Sequence, residues 1–238
     1  MTLINGDAIE QMTKLKRDSV DLLFADLPYG CLDSKWDIEL DLVEFWKQAH
    51  RIVKREGAMI FTATIKFAHK LIETNPKNFK YDLVWSKSNK TGHLTAKTQP
   101  MRQHELILVF YRKAGAYNLD THNRTETGKM RPPTKMTDTS AYKFKTGKWE
   151  KVIYNPPLPT SMLYFPRDKN IIHTTQKPLS LMEWIVSHYS REGQTVLDPT
   201  CGSGTTCVAC VNLNRNYIGI EKDTTIYESA RQRITAVS

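Results

Sequence analysis

Asp26-Leu27-Pro28-Tyr29-Gly30 puts an acid, a stiff turn and an aromatic ring directly after the apolar run Val20–Ala25. A carboxylate accepts hydrogen bonds and a tyrosine ring offers a flat face for stacking. With a neighbouring backbone carbonyl, Asp26 could accept both hydrogens of an exocyclic amino group while Tyr29 stacks on the ring that carries it. That chemistry suits a nucleobase. Asp, Pro and Gly are also ordinary turn residues, so the pentapeptide gains meaning only beside a second site.

The second site is Asp198-Pro199-Thr200-Cys201-Gly202-Ser203-Gly204-Thr205-Thr206, which follows the apolar Thr195-Val196-Leu197. Gly202 and Gly204 let the backbone approach a ligand and adopt conformations closed to other residues. Glu221 lies 17 residues beyond Gly204, after Tyr217-Ile218-Gly219-Ile220, and is placed to bind ribose hydroxyls. The loop lacks the third glycine of a dinucleotide fingerprint and the Gly-Lys-Ser/Thr of a phosphate loop. Acids on both sides of it favour a cationic or sugar-bearing ligand over a phosphate-rich one.

The surrounding pattern alternates strands and helices. Thr2–Ile4 reads as a strand, and Asp7 as the N-cap of a helix. Val20–Ala25 is a buried strand. Leu42, Phe45, Trp46, Ala49, Ile52 and Val53 recur at helical spacing, with Gly57 where a helix stop is expected. Ala58–Thr62 is the next strand. Phe67, Ala68, Leu71 and Ile72 mark a helix ended by Asn75-Pro76. Tyr81–Trp85 and Glu105–Tyr111 are strands in succession, which places an antiparallel pair at one edge of a mostly parallel sheet. Pro178 opens a helix with Leu179, Met182, Ile185, Val186 and Tyr189 on one face. A helix follows the glycine loop, and the chain ends in an amphipathic helix marked by Tyr227, Ala230 and Ile234.

At 238 residues, 40% apolar and 25% charged, the composition is that of a soluble globular chain with a sizeable core. No apolar stretch reaches membrane-spanning length. The first residues show no secretory pattern, so the cytoplasm is the expected location. The four cysteines are too few for a disulfide framework. Cys207 and Cys210 have the spacing of half a zinc site, but no second pair accompanies them, and no metal is expected.

The net charge is +9, and its distribution is uneven. Residues 86–177 hold 17 Lys/Arg against 6 Asp/Glu, while the remainder holds 17 against 19. The whole excess therefore lies in one segment, which reads as a polyanion contact. Within it, Gly115–Asn170 has little periodicity and is broken by Arg131-Pro132-Pro133 and Asn155-Pro156-Pro157. It interleaves Tyr142, Phe144, Trp149 and Tyr154 with its cations, a mixture suited to phosphate contact and base stacking.

These motifs, in this order, resemble the β class of S-adenosylmethionine-dependent DNA amino-methyltransferases, where the catalytic tetrapeptide precedes the cofactor loop. The family's Asp-Pro-Pro-Tyr or Ser-Pro-Pro-Tyr is matched by Asp26-Leu27-Pro28-Tyr29, with Leu27 replacing the first proline. The cofactor motif resembles Asp198–Thr205, with Thr200 where Phe is usual. Thr175-Gln176-Lys177-Pro178 resembles the end of His-Pro-Thr-Gln-Lys-Pro, with Thr174 in the usual Pro position, and Gly6-Asp7 the family's amino-terminal Gly-Asp.

The resemblance implies a Rossmann-like α/β fold with circularly permuted motif order, one antiparallel edge strand and a basic irregular insertion. Residues 1–114 would form the catalytic half, 115–170 the insertion that recognises the DNA target, and 171–238 the cofactor-binding half. Asp7 and Ala8 would meet the adenine end of S-adenosylmethionine, and Glu221 with Lys222 the ribose. Asp198, Pro199, Cys201, Gly202, Ser203, Gly204 and Thr205 would hold the methionine part, with Asp26 beside it. Thr175, Gln176 and Lys177 would close over it. Asp26, the Leu27 carbonyl, Pro28 and Tyr29 would hold the target base, flipped out of the stack.

Asp26 favours adenine N6 as the acceptor, and cytosine N4 is the close alternative. An RNA methyltransferase usually has Asn at the Asp26 position. A non-catalytic nucleic-acid binder is the remaining alternative, made thinkable by Leu27. DNA is the expected partner, through segment 86–177. Many relatives form dimers, which leaves a homodimer open, although nothing in the sequence marks an interface; no membrane association is expected.

Overall fold

Every residue of Val20–Ala25 is buried, as befits a strand with partners on both edges and helices over both faces. The computed structural model describes residues 1–28, 40–115, 117–119, 124–125, 153–154, 158–169, 171–172 and 176–237. Its strands are β1 (Thr2–Asn5), β2 (Val20–Ala25), β3 (Val53–Ala63), β4 (Phe79–Thr91), β5 (Arg102–Tyr111), β6 (Arg124–Thr125), β7 (Ile153–Tyr154), β8 (Met162–Tyr164), β9 (Thr195–Asp198) and β10 (Asn216–Glu221). Its helices are α1 (Ala8–Lys14), α2 (Leu42–Ile52), α3 (Ile65–Thr74), α4 (Leu179–Tyr189), α5 (Thr205–Asn212) and α6 (Thr224–Thr235).

Among the described residues the main sheet has eight strands in the order β1-β10-β9-β2-β3-β5-β4-β8. Side chains alternate across it, as the pleat requires. Leu23 and Ala25 of β2 join Phe45, Phe61 and Phe110 on one face. Leu22 and Phe24 join Leu181, Ile185 and Val196 on the other. Aspartates start three of the helices. Asp7 accepts from the Ile9 amide at 3.1 Å, Asp41 from Val43 at 2.9 Å, and Asp223 from Thr225 at 2.8 Å. Helix α4 is capped from a distance instead: its Leu179 amide donates to Asp168 Oδ2 at 3.1 Å.

The mostly parallel sheet is present, with one reversed strand, but that strand is not at the edge. β5 pairs antiparallel with both β3 and β4, and β8 runs parallel to β4 beyond them. The crossover through α3 carries β4 past the vacant slot beside β3, and β5 returns to fill it. Gly57 also differs from expectation. Helix α2 ends at Ile52 and the chain passes directly into β3. Gly57 lies within that strand, where a Cβ would stand 2.6 Å from the Asp21 carbonyl oxygen and 2.7 Å from Val53 Cγ1. Close approach of two strands, not a helix stop, requires the glycine.

The chain divides into one unit of Met1–Asn118 with Ser161–Ser238 and a second unit of Leu119–Thr160. The second contains a short antiparallel pair, Arg124 opposite Tyr154 and Thr125 opposite Ile153. Met162–Tyr164, which the sequence assigns to the irregular insertion, is a strand of the main sheet. The aromatic positions Tyr142, Phe144 and Trp149 lie outside the described residues.

Candidate active site

Parallel strands aim their carboxyl ends the same way, and here those ends carry acids. Asp26 follows β2, Asp198 closes β9, Glu221 closes β10, and Asp7 follows β1 after Gly6. β2 and β9 are neighbours, pairing Leu22 with Val196 and Leu23 with Leu197. The connections leave this pair in opposite directions, β2 toward β3 and β9 toward β10. A crevice at such a switch point is where open α/β sheets bind ligands.

Asp26 is held from several elements. Thr62, near the end of β3, donates its hydroxyl to Asp26 Oδ1. Lys177, just before α4, places Nζ 2.5 Å from Asp26 Oδ2. The Thr200 hydroxyl donates to the Asp26 backbone oxygen at 3.2 Å. This last bond ties the Asp26 loop to the glycine loop, and it restrains the segment where Leu27 stands in place of a proline. The Leu27 side chain is buried in the core beneath, so its contribution at the surface is its peptide group. Pro28 is half-buried beside it. Tyr29 lies outside the described residues, as does Thr175.

The glycine loop is built around Asp198, which is 4% exposed. Thr206 Oγ1 donates to its Oδ2 at 2.5 Å and the Thr200 amide to its Oδ1 at 3.1 Å. Burial pushes its carboxyl up to about 7, with the Asp26 and Glu221 charges adding to the rise and the two hydrogen bonds opposing it. Gly202 and Gly204 have φ of +53° and +75°, in the left-handed region. A Cβ on Gly204 would press on Ile234 at 3.1 Å, whereas one on Gly202 would meet nothing within 4 Å. The space over Gly202 is therefore open to a ligand. Arg233 of α6 braces the loop from behind, donating to Thr205 Oγ1 at 2.8 Å and the Ser203 carbonyl at 3.2 Å.

Glu221 accepts from the Gly202 amide at 3.0 Å and the Asp223 amide at 2.8 Å. Burial raises its pKa against those bonds. Each carboxylate oxygen retains a further lone pair for a hydroxyl donor. Next to it, Lys222 Nζ lies 3.2 Å from Asp7 Oδ2 in an exposed pair. Burial would raise the Asp7 carboxyl, but the Glu10 amide and Lys222 outweigh it and hold the group below its usual range. Ala8 is buried behind Asp7. Gln176 is also buried, accepting from the Ile172 amide at 3.1 Å and Ser203 Oγ at 3.3 Å, and donating to Asp168 at 3.2 Å.

Cys201 and Cys207 touch one another beneath the loop, and that contact with burial pushes the Cys201 thiol well up. Cys210 is pushed up by burial to about 12. Such thiols are poor nucleophiles. Among the described residues no cluster of His, Cys, Asp and Glu is arranged to hold a metal ion.

The structure thus gathers Asp26, Lys177, Asp198, the glycines and Glu221 at one end of the sheet. It adds Thr62, Glu105 and Arg233, which the sequence alone does not place there, and gives Thr200 and Thr206 of the glycine loop their partners, Asp26 and Asp198. Thr62 and Glu105 left a trace, since each is a polar residue at one end of an apolar strand. Arg233 left none, because an arginine on an amphipathic helix is ordinary. A further basic surface stands in the same unit: the end of β4, the connection to β5 and the start of β5 carry exposed Lys90, Lys97 and Arg102, and residues 86–104 contain no acid.

A family profile for DNA methylases of the N6/N4 class matches residues 20–232. Over 263 residues the chain is 29% identical to the DNA adenine methyltransferase YhdJ of Escherichia coli (strain K12), covering 100% of this chain and 83% of that one. It resembles the crystal structure of an M1.HpyAVI–SAM complex with a TM-score of 0.65 at 25% identity, over 98% of both chains. It shares the fold of the PvuII DNA methyltransferase, a cytosine-N4-specific protein, with a TM-score of 0.69 at 13% identity over 99% of this chain and 90% of that one. The motif order, the acids at the strand ends and the match across most of the sequence agree: the chain belongs to the N6/N4 DNA methylase family.

Proposed function

We propose that this protein transfers a methyl group from S-adenosylmethionine to the N6 amino group of adenine at specific sites in DNA. The observation that carries the reading is Asp26, set at the switch point by Thr62 and Lys177 and tied to the cofactor loop by Thr200. An oriented carboxylate and an adjacent peptide carbonyl are what an exocyclic amino group needs.

Bound S-adenosylmethionine supplies an electrophilic methyl on a positively charged sulfur. The open face over Gly202 and the glycine loop of Asp198–Thr205 suit its methionine part. Glu221, with lone pairs to spare, and Lys222 beside it suit its ribose, and Asp7 with Ala8 its adenine end. Gln176 braces the loop at Ser203 and belongs to the same wall. The acidic lining favours a cation.

Asp26 and the Leu27 carbonyl accept the two amino hydrogens and turn the nitrogen lone pair toward the methyl. The carboxylate also stabilises the positive charge that grows on nitrogen during attack. Orientation and fixed electrostatics carry the catalysis. Tyr29 is assigned the stacking face for the extruded base. The basic segment 86–177, including the exposed β4–β5 connection, is assigned the DNA backbone, where cations bind by displacing counterions. A cytoplasmic location goes with that substrate. The homodimer left open by the sequence is read from the mass in solution.

Mixed-sequence DNA is incubated with protein and S-adenosylmethionine, digested, and its nucleosides separated by mass. N6-methyladenine is expected. N4-methylcytosine would keep the mechanism and reverse the base. DNA without any methylated base would overturn the assignment.

A further inference from the structure

Lys177 stands between two carboxylates. Its Nζ is 2.5 Å from Asp26 Oδ2 and 3.6 Å from Glu105 Oε2. Glu105 is fixed from its other side, because Lys87 Nζ donates to Oε1 at 2.7 Å. Glu105 Oε2 is buried and accepts no hydrogen bond. A buried carboxylate oxygen without a donor is costly, and here the Lys177 ammonium lies just beyond bonding distance of it. Burial alone would drive Lys177 toward the neutral amine, but Asp26 and then Glu105 reverse this and raise its pKa. The ammonium therefore persists with one occupied seat and one vacant one.

The proposed reaction asks more of Asp26 than this arrangement gives. An ammonium against Oδ2 takes one of that oxygen's lone pairs and crowds the side from which the target amino group would approach it. It also offsets the negative potential that should stabilise charge growing on the attacking nitrogen. We propose that Glu105 is a second seat for the Lys177 ammonium. On arrival of the target base, Nζ moves from Asp26 Oδ2 to Glu105 Oε2, and Oδ2 turns to the amino hydrogen.

The displacement is on the order of 1 Å, the difference between an ion pair and a hydrogen bond. A lysine on its flexible four-carbon stem can make it. The charge stays between carboxylates throughout, so no ammonium is left unpaired in a buried setting. No bond is made or broken and no proton is transferred. Glu105 is thus a positioning residue that acts through Lys177, and Lys87 keeps its carboxylate in place. The inference rests on the amino-methyltransferase reading.

The test is a double-variant cycle read by single-turnover methylation, with S-adenosylmethionine and DNA affinities measured separately. Glu105→Gln keeps the shape but removes the charge of the second seat. Its methyl-transfer rate should fall about tenfold or more, with both affinities within about twofold of the unmutated protein. In a Lys177→Gln background the same change should cost less than about twofold, because the residue through which it acts is gone. If Glu105→Gln does not fold, Glu105→Asp withdraws the carboxylate by one methylene and runs the same cycle, with a smaller loss expected. Losses that multiply in the double variant, or an unaffected rate in the single one, would overturn the two-seat account. An unmutated protein that methylates no base overturns the functional reading and this inference with it. A methylating protein indifferent to Glu105 overturns this inference alone.

Discussion

Asp26 and Asp198 stand at the carboxyl ends of adjacent parallel strands, and they are used in opposite ways. Asp26 keeps 27% of its side chain exposed and faces an ammonium at 2.5 Å. Asp198 is 4% exposed and is held by a hydroxyl and an amide. Two like residues in like positions are thus divided by their partners. Partial exposure leaves Asp26 accessible from solvent, with its charge matched by the Lys177 ammonium. Burial with neutral donors turns Asp198 inward, where it shapes the glycine loop.

If that division is right, the largest effect on stability belongs to the pH dependence of Asp198. Its carboxyl titrates near 7 when folded and near the ordinary 3.8 otherwise. Between those values the folded protein holds a proton that the unfolded chain has released. Its contribution to stability is therefore present at low pH and lost as pH rises toward 7. Asp198→Asn removes this dependence. Its stability relative to the unmutated protein, measured by urea unfolding, should rise by about 2.5 kcal/mol between pH 5 and pH 8. A pH-independent difference would place the charge elsewhere.

Glu221 sharpens the cofactor side. Glu221→Gln keeps an acceptor but loses its charge, and S-adenosylmethionine should bind about 30-fold more weakly by calorimetry, on the order of 2 kcal/mol. The maximal transfer rate should change little. Gly204→Ala tests the loop as architecture. At φ +75° and 3.1 Å from Ile234, the added methyl should lower stability by about 1.5 kcal/mol in thermal unfolding. The smallest effect is on the catalytic side. Thr62→Val removes the donor to Asp26 Oδ1 and should slow transfer about fivefold, on the order of 1 kcal/mol, without moving cofactor affinity. Loss of affinity there would erase the distinction between the two regions.

Much of this was legible in the sequence. Buried central strands read as unbroken apolar runs, and the acids and glycines at their ends follow from what a ligand loop needs. The place of β5 was not legible, because two successive strands look the same whether the second lies outside the first or returns beside an earlier one. Gly57 misled for a related reason, since a glycine after a helix reads as a stop and its true neighbour, the Asp21 carbonyl, is distant in sequence. Thr62 and Glu105 reach the site only through pairings between strands, and the bond from Thr200 to Asp26 joins two loops, which no local pattern encodes. The resemblance has Lys177 closing over the cofactor, and its pairing with Asp26 was not legible because the two lie far apart in sequence.

The central claim is that Asp26 acts on the substrate and not on the architecture. The most direct measurement is single-turnover methylation by Asp26→Asn, with S-adenosylmethionine affinity and melting temperature determined on the same preparation. Asparagine preserves the shape and can still accept from Thr62, but it presents an amide donor and no charge to the amino group. The account predicts a transfer rate reduced about 1,000-fold, with affinity within about twofold and melting unchanged within about 3 °C. A rate near that of the unmutated protein, or a loss explained by failed cofactor binding or unfolding, would contradict it.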